Sequence, residues 1–182
     1  MDGEHDTRNQ DVIRRTGRGM AWLAALALIG LLWLFFADIE ARRNSPNRNV
    51  SVIPGASAEL VLKRNAAGHY VVPGTINGQP VTFMLDTGAT TVAIPARLGK
   101  QLGLPAGPTF EVSTANGIAQ ARLTSIAELA LGPFVMRQVQ AGLNPGMDHD
   151  DTILLGMNVL KRLEFTQRGD TLILRTLPQQ EN

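Results

Sequence analysis

The chain has 182 residues, 44% of them hydrophobic, with 17 Lys+Arg against 16 Asp+Glu and no cysteine. That length and apolar content suit one folded domain with accessories, while near-neutral charge without a long basic run lacks the electrostatic footprint of a nucleic-acid binder. The missing cysteine excludes disulfides, thiolate metal sites and a cysteine nucleophile, and leaves the compartment open.

A polar tail over 1–19 leads into an uncharged apolar run, 20–37 (MAWLAALALIGLLWLFFA). As a helix this run is roughly 27 Å long, close to the thickness of a bilayer core. Trp22 lies near its start and Trp33 somewhat inside its end, the former where an amphipathic ring favours the interface. The alternative to a retained anchor is a cleaved secretory signal. Signals carry apolar cores of about 7 to 15 residues followed by an Ala-x-Ala site, and this run is longer and has no such site after it. Arg14, Arg15 and Arg18 precede the span and Arg42, Arg43 and Arg48 follow it, so charge barely discriminates orientation. The short polar N-terminal segment favours a cytoplasmic N-terminus with the main domain outside. Residues 38–57 then read as a stalk, polar and rich in Asn, Ser, Pro and Gly from Asn44 to Gly55.

From 58 to 177, short β-like runs alternate with turn signals, the rhythm of a mainly antiparallel sheet or barrel. Runs at 58–64, 70–76 and 80–85 come first; Asn77-Gly78, the dipeptide best suited to positive φ, joins the latter two as a hairpin. A second Asn-Gly, Asn116-Gly117, joins 110–114 to 118–129. Short helices are predicted over 96–102, after Pro95, and over 157–163. A last hairpin turns at Gly169 between 164–167 and 171–175, and 178–182 form a C-terminal tail.

The chemistry concentrates in 83–88, an apolar strand running into Asp86, Thr87 and Gly88. A carboxylate at a tight turn behind apolar residues is held in a fixed, partly dry position where its proton affinity responds to neighbouring charge. Asp-Thr-Gly alone is weak evidence, since an ordinary strand-to-turn transition uses the same residue types. Its context is stronger. The run 83–95 (FMLDTGATTVAIP) resembles the active-site signature of aspartic proteases, and 153–160 (ILLGMNVL) resembles their apolar, apolar, Gly element leading into a helix. The gap of about 70 residues between Asp86 and Gly156 suits that family.

The chain thus resembles the retropepsin-like (retroviral-type) aspartic proteases, in particular a bacterial membrane-anchored, single-domain branch. The resemblance implies an all-β acid-protease barrel with one or two short helices over 58–177, preceded by the single transmembrane helix. It implies hydrolysis of a peptide or protein substrate without a covalent intermediate, a cofactor or a metal. On that likeness Asp86 shares a proton with a second aspartate and polarises a water. Thr87 locks the loop by hydrogen bonding, Gly88 brings its N–H to the carboxylate, and Ala89 continues the turn. Ala115, Asn116 and Gly117 fall where a substrate-covering flap would, although any exposed hairpin reads the same way. Leu155 and Gly156 support the loop by packing. The implied location is a bacterial inner membrane, crossed once, with the domain in the periplasm.

No other Asp-Thr-Gly or Asp-Ser-Gly exists in the sequence, and the region after the stalk is too short for two homologous lobes. A homodimer with a two-fold axis between paired Asp86 side chains supplies the missing carboxylate. A non-catalytic module that uses the same fold to bind a peptide or protein is the competing reading. Asp148, His149, Asp150 and Asp151 carry ligand-type side chains, but consecutive residues diverge, and a solvated loop is the simpler expectation.

Overall fold

The computed structural model describes residues 4–47, 51–53, 58–114 and 117–177. They fall into two compact units, Met1–Arg43 and Asn44–Asn182. The first is built by helix α1, Glu4–Asn44, which runs through most of the segment expected to be a polar tail. Within it, Trp22–Glu40 is the one helical stretch among the described residues long and apolar enough to cross a bilayer. Retained anchors and signal sequences share that property.

In the second unit the strands form where apolar residues alternate, because successive side chains point to opposite faces. Leu60 and Leu62 are buried on β2 (Glu59–Lys63), Val72 and Ile76 on β3 (Tyr70–Ile76), and Val81 and Phe83 on β4 (Gln79–Leu85). Asn77 (φ 49°) and Gly78 (φ 79°) make the expected tight hairpin between β3 and β4. The other strands of the larger sheet are β5 (Val92–Pro95), β6 (Thr109–Thr114), β7 (Gly117–Leu131), β8 (Phe134–Asn144) and β9 (Thr152–Leu155). Their order is β3-β4-β9-β5-β8-β7-β6, and β3 also pairs with β7. Strands β3, β4, β9, β5, β8 and β7 therefore close into a six-stranded barrel, with β6 attached to β7 outside it. Short helices α2 (Ala96–Gln101) and α3 (Met157–Leu160) follow β5 and β9.

The closing seam is short, pairing Thr75 with Ala130 and Ile76 with Leu129. Asn77 extends it: its N–H donates to Glu128 O (2.8 Å) and its Oδ1 accepts from Glu128 N (3.0 Å). Gly74 permits the close approach, since a Cβ there would run into Ala130 O and lie 2.6 Å from Phe83 Cε2.

The pairing is mainly antiparallel, as expected, but the barrel also holds two parallel pairs, β4 with β9 and β5 with β8, that the sequence did not reveal. Alternating burial looks the same in either sense, so periodicity alone cannot distinguish them. Part of the expected stalk is also built into the folded unit. Strand β1 (Ser51–Ile53) pairs with β2 at the edge of a second sheet, ordered β1-β2-β11-β10, where β10 is Leu163–Arg168 and β11 is Thr171–Thr176. The expected tail 178–182 lies outside the described residues.

Candidate active site

Phe83 on β4 is fully buried and Leu85 half-buried, so the strand delivers Asp86 from the core to its edge. β4 and β9 run parallel in register from Thr82↔Thr152 to Leu85↔Leu155, and Asp86 N continues the ladder by donating to Leu155 O (3.2 Å). There the chain turns. Ala89 N donates to Asp86 O (3.2 Å), closing a four-residue turn, and Gly88 N donates to the carboxylate Oδ1 of Asp86 (2.8 Å). The carboxylate is half-buried with one oxygen held by a backbone N–H. That bond orients the carboxylate. A Cβ on Gly88 would sit 3.1 Å from Asp86 Oδ1, so a larger residue there would press on the carboxylate.

The back of the loop rests on the junction of β9 and α3. Leu155 is fully buried, and a Cβ on Gly156 would overlap Thr91 O, lie 2.6 Å from Thr91 C and 2.8 Å from Ala89 O. Only hydrogen fits between the junction and the loop. The first N–H groups of α3 lack partners inside the helix and donate to the loop instead: Met157 N to Ala89 O (2.8 Å) and Asn158 N to Thr90 O (3.0 Å). The Asn158 side chain completes the clamp. Its Oδ1 accepts from Val92 N (3.1 Å) and its Nδ2 donates to Gln140 O (2.8 Å), tying the loop's exit strand β5 and strand β8 to α3. Sequence reasoning passed over Asn158; its signal was a carboxamide two residues beyond Gly156 on an otherwise apolar helix.

The expected role of Thr87 is not realised within one chain. Its side chain is exposed and makes no hydrogen bond among the described residues, because the loop is already locked by Gly88 N and by α3. Ala89 is half-buried; its N–H closes the turn onto Asp86 O and its carbonyl accepts from α3. At the expected flap, Ala115 and Asn116 lie outside the described residues, and Gly117 (φ 109°) begins β7 opposite Thr114, whose hydroxyl donates to Gly117 O (2.7 Å). Next to it Ile118 is 76% exposed. At the base of this hairpin the Phe110 ring lies over Gly142 of β8, where a Cβ would be 3.0 Å from its Cζ. Arg122 braces the approach by donating to Gly107 O (3.0 Å) and Ala106 O (2.9 Å).

The acidic run has structural work of its own. Asp148 Oδ1 accepts from Arg97 N (2.8 Å) at the start of α2, Asp151 pairs with the Arg97 guanidinium, and Asp150 Oδ1 accepts from Thr152 N (3.2 Å) and Oγ1 (3.0 Å).

Comparison with known proteins places this barrel and its clamped loop in a family. The family model described as gag-polyprotein putative aspartyl protease matches residues 72–162, from within β3 to just beyond α3. An uncharacterized protein in the cobV 5′ region of Sinorhizobium sp. is 36% identical over 178 residues, covering 88% of this chain and 75% of the relative. The uncharacterized protein RP867 of Rickettsia prowazekii is 27% identical over 124 residues, 64% of this chain and 51% of that one. Among solved structures, a retropepsin-like aspartic protease from Rickettsia conorii superposes with a TM-score of 0.55 at 24% identity, over 70% of this chain and 96% of the other. The chain belongs to this aspartyl protease family. Its fold is retropepsin-like, as the sequence motifs implied.

Proposed function

We propose that this protein is a membrane-anchored aspartic endopeptidase, active as a homodimer, that hydrolyses peptide bonds with a water held between two Asp86 carboxylates. The supporting observation is the mounting of Asp86: a half-buried carboxylate on a turn bonded to Gly88 N and seated on Gly156. Each copy brings one such group and the sequence contains no second Asp-Thr-Gly, so a two-fold pair completes the site. Two adjacent carboxylates cannot both ionise cheaply, and they share one proton and titrate as a unit. The ionised member takes a proton from water as it attacks the scissile carbonyl; the protonated member donates to the carbonyl oxygen, and the amine leaves after proton return.

Thr87, exposed and unbonded within one chain, is available to bond the partner copy beside the paired carboxylates. Gly117 and Ile118, with Ala115 and Asn116, would cover bound substrate from the β6–β7 hairpin. The segment Trp22–Glu40 would hold the enzyme in the bacterial inner membrane with its domain in the periplasm, and confinement to one plane would raise the effective concentration for pairing.

Asp86→Asn in the full-length protein should abolish cleavage of a peptide library while leaving the unfolding midpoint near wild type, and pepstatin should inhibit the wild type. Undiminished cleavage by the variant would remove the assignment. The solitary carboxylate of one chain also suits a binding module without catalysis. A protein that stays monomeric at high concentration with its helix present, and binds peptides uncut, would establish that reading instead.

A further inference from the structure

The segment beyond α1 is held by a buried side chain. Asn47 is 5% exposed, and its carboxamide makes three bonds to backbone: Oδ1 accepts from Lys63 N (2.7 Å), while Nδ2 donates to Lys63 O (2.9 Å) and Val71 O (2.8 Å). It satisfies groups at the end of β2 and the start of β3 as a neighbouring strand would. Asn65 adds a bond from its Nδ2 to Asn44 O (3.2 Å). Further on, β1 pairs with β2 from Ser51↔Val61 to Ile53↔Glu59. A polar stretch that composition marks as a free stalk is fastened to the domain at its beginning and again at β1.

This changes the length of the tether. α1 continues to Asn44 and the apolar span ends at Glu40, so the path from Glu40 to Asn47 covers roughly 16 Å, one helical turn plus an extended step. A stalk free to residue 57 would add on the order of 35 Å. The folded unit is itself on the order of 40 Å across for its residue number. From chain length alone, no point of the domain can then be more than about 60 Å from the end of the span.

We propose that the fastening at Asn47 and β1 limits this protease, when its substrate is itself a membrane-embedded protein, to membrane-proximal segments, excluding sites held far from the bilayer. The inference rests on the anchored-protease reading above and specifies its substrate class.

The test uses the full-length protein in phosphatidylcholine vesicles with single-span reporters. Each carries a peptide that the same preparation cleaves in solution, set off from its span by a stiff Pro-rich spacer of about 8 or about 30 residues, roughly 25 or 93 Å. The wild type should cleave the near reporter at least ~10-fold faster than the far one. Inserting a flexible Gly/Ser segment of about 60 residues, roughly 43 Å in r.m.s. length, between Asn44 and Ser45 should bring the two rates within ~3-fold, with cleavage of the free peptide unchanged. Asn47→Ala should raise the rate of tryptic cleavage after Arg48 by ~10-fold, the loss of a few hydrogen bonds. Equal cleavage of near and far reporters by the wild type, or a tryptic rate unmoved by Asn47→Ala, overturns this inference alone. Failure to cut even the free peptide removes the protease reading with it.

Discussion

Gly156→Ala tests whether the seat of the loop governs catalysis. The added methyl would stand 2.6 Å from Thr91 C and 2.8 Å from Ala89 O, where carbon contacts settle near 3.5–4.0 Å. The loop or α3 must therefore retreat by about 1 Å, stretching the bonds from Met157 N to Ala89 O and Asn158 N to Thr90 O. Overpacking of this kind costs about 1–3 kcal/mol of stability. The displacement also reaches Asp86 through the turn bond between Ala89 N and Asp86 O. A shift of about 1 Å at a reacting group lowers the rate on the order of 100-fold. Because the shift disturbs the carboxylate rather than distant substrate contacts, kcat should fall more than KM rises. Urea unfolding of the full-length protein measures the first effect and steady-state cleavage of a library-selected peptide the second. Wild-type stability would refute the packing argument; lost stability with unchanged kcat would refute the coupling between seat and carboxylate.

Two further substitutions probe the same framework. Asn158→Ala leaves Val92 N and Gln140 O without their side-chain partner and should cost about 2 kcal/mol in urea unfolding together with a fall in kcat. Asn158→Asp, which keeps the acceptor and loses the donor, should fall between wild type and Ala; a ranking in which Asp equals wild type would discount the bond to Gln140. On β8, Gln138 adopts φ 52°, a left-handed conformation that costs a non-glycine residue about 1–2 kcal/mol. Gln138→Gly should be at least as stable as wild type and Gln138→Val about 1–2 kcal/mol less stable in thermal unfolding; the reverse order would remove backbone strain at this position from the account.

Local chemistry written in consecutive residues determined a large part of this protein. Asn77-Gly78 required a tight turn because few other residue pairs accept two positive φ angles. Alternating apolar positions defined β2, β3 and β4, the uncharged run announced a helix able to span a bilayer, and 83–88 with 153–160 identified the family. Tertiary structure decided which distant strands meet. The pairing of β4 with β9 and of β5 with β8 joins segments far apart in the chain, and periodicity carries no information about a strand's neighbour or its direction. The same limit hid Asn158 and Asn47: a carboxamide's role depends on which backbone groups the fold leaves without partners around it. At Asn158 these were the N–H of β5 and a carbonyl of β8, and at Asn47 the ends of β2 and β3. Composition marked the residues around Asn47 as linker because it records polarity alone, and burial with three hydrogen bonds arises only once the sheet has formed.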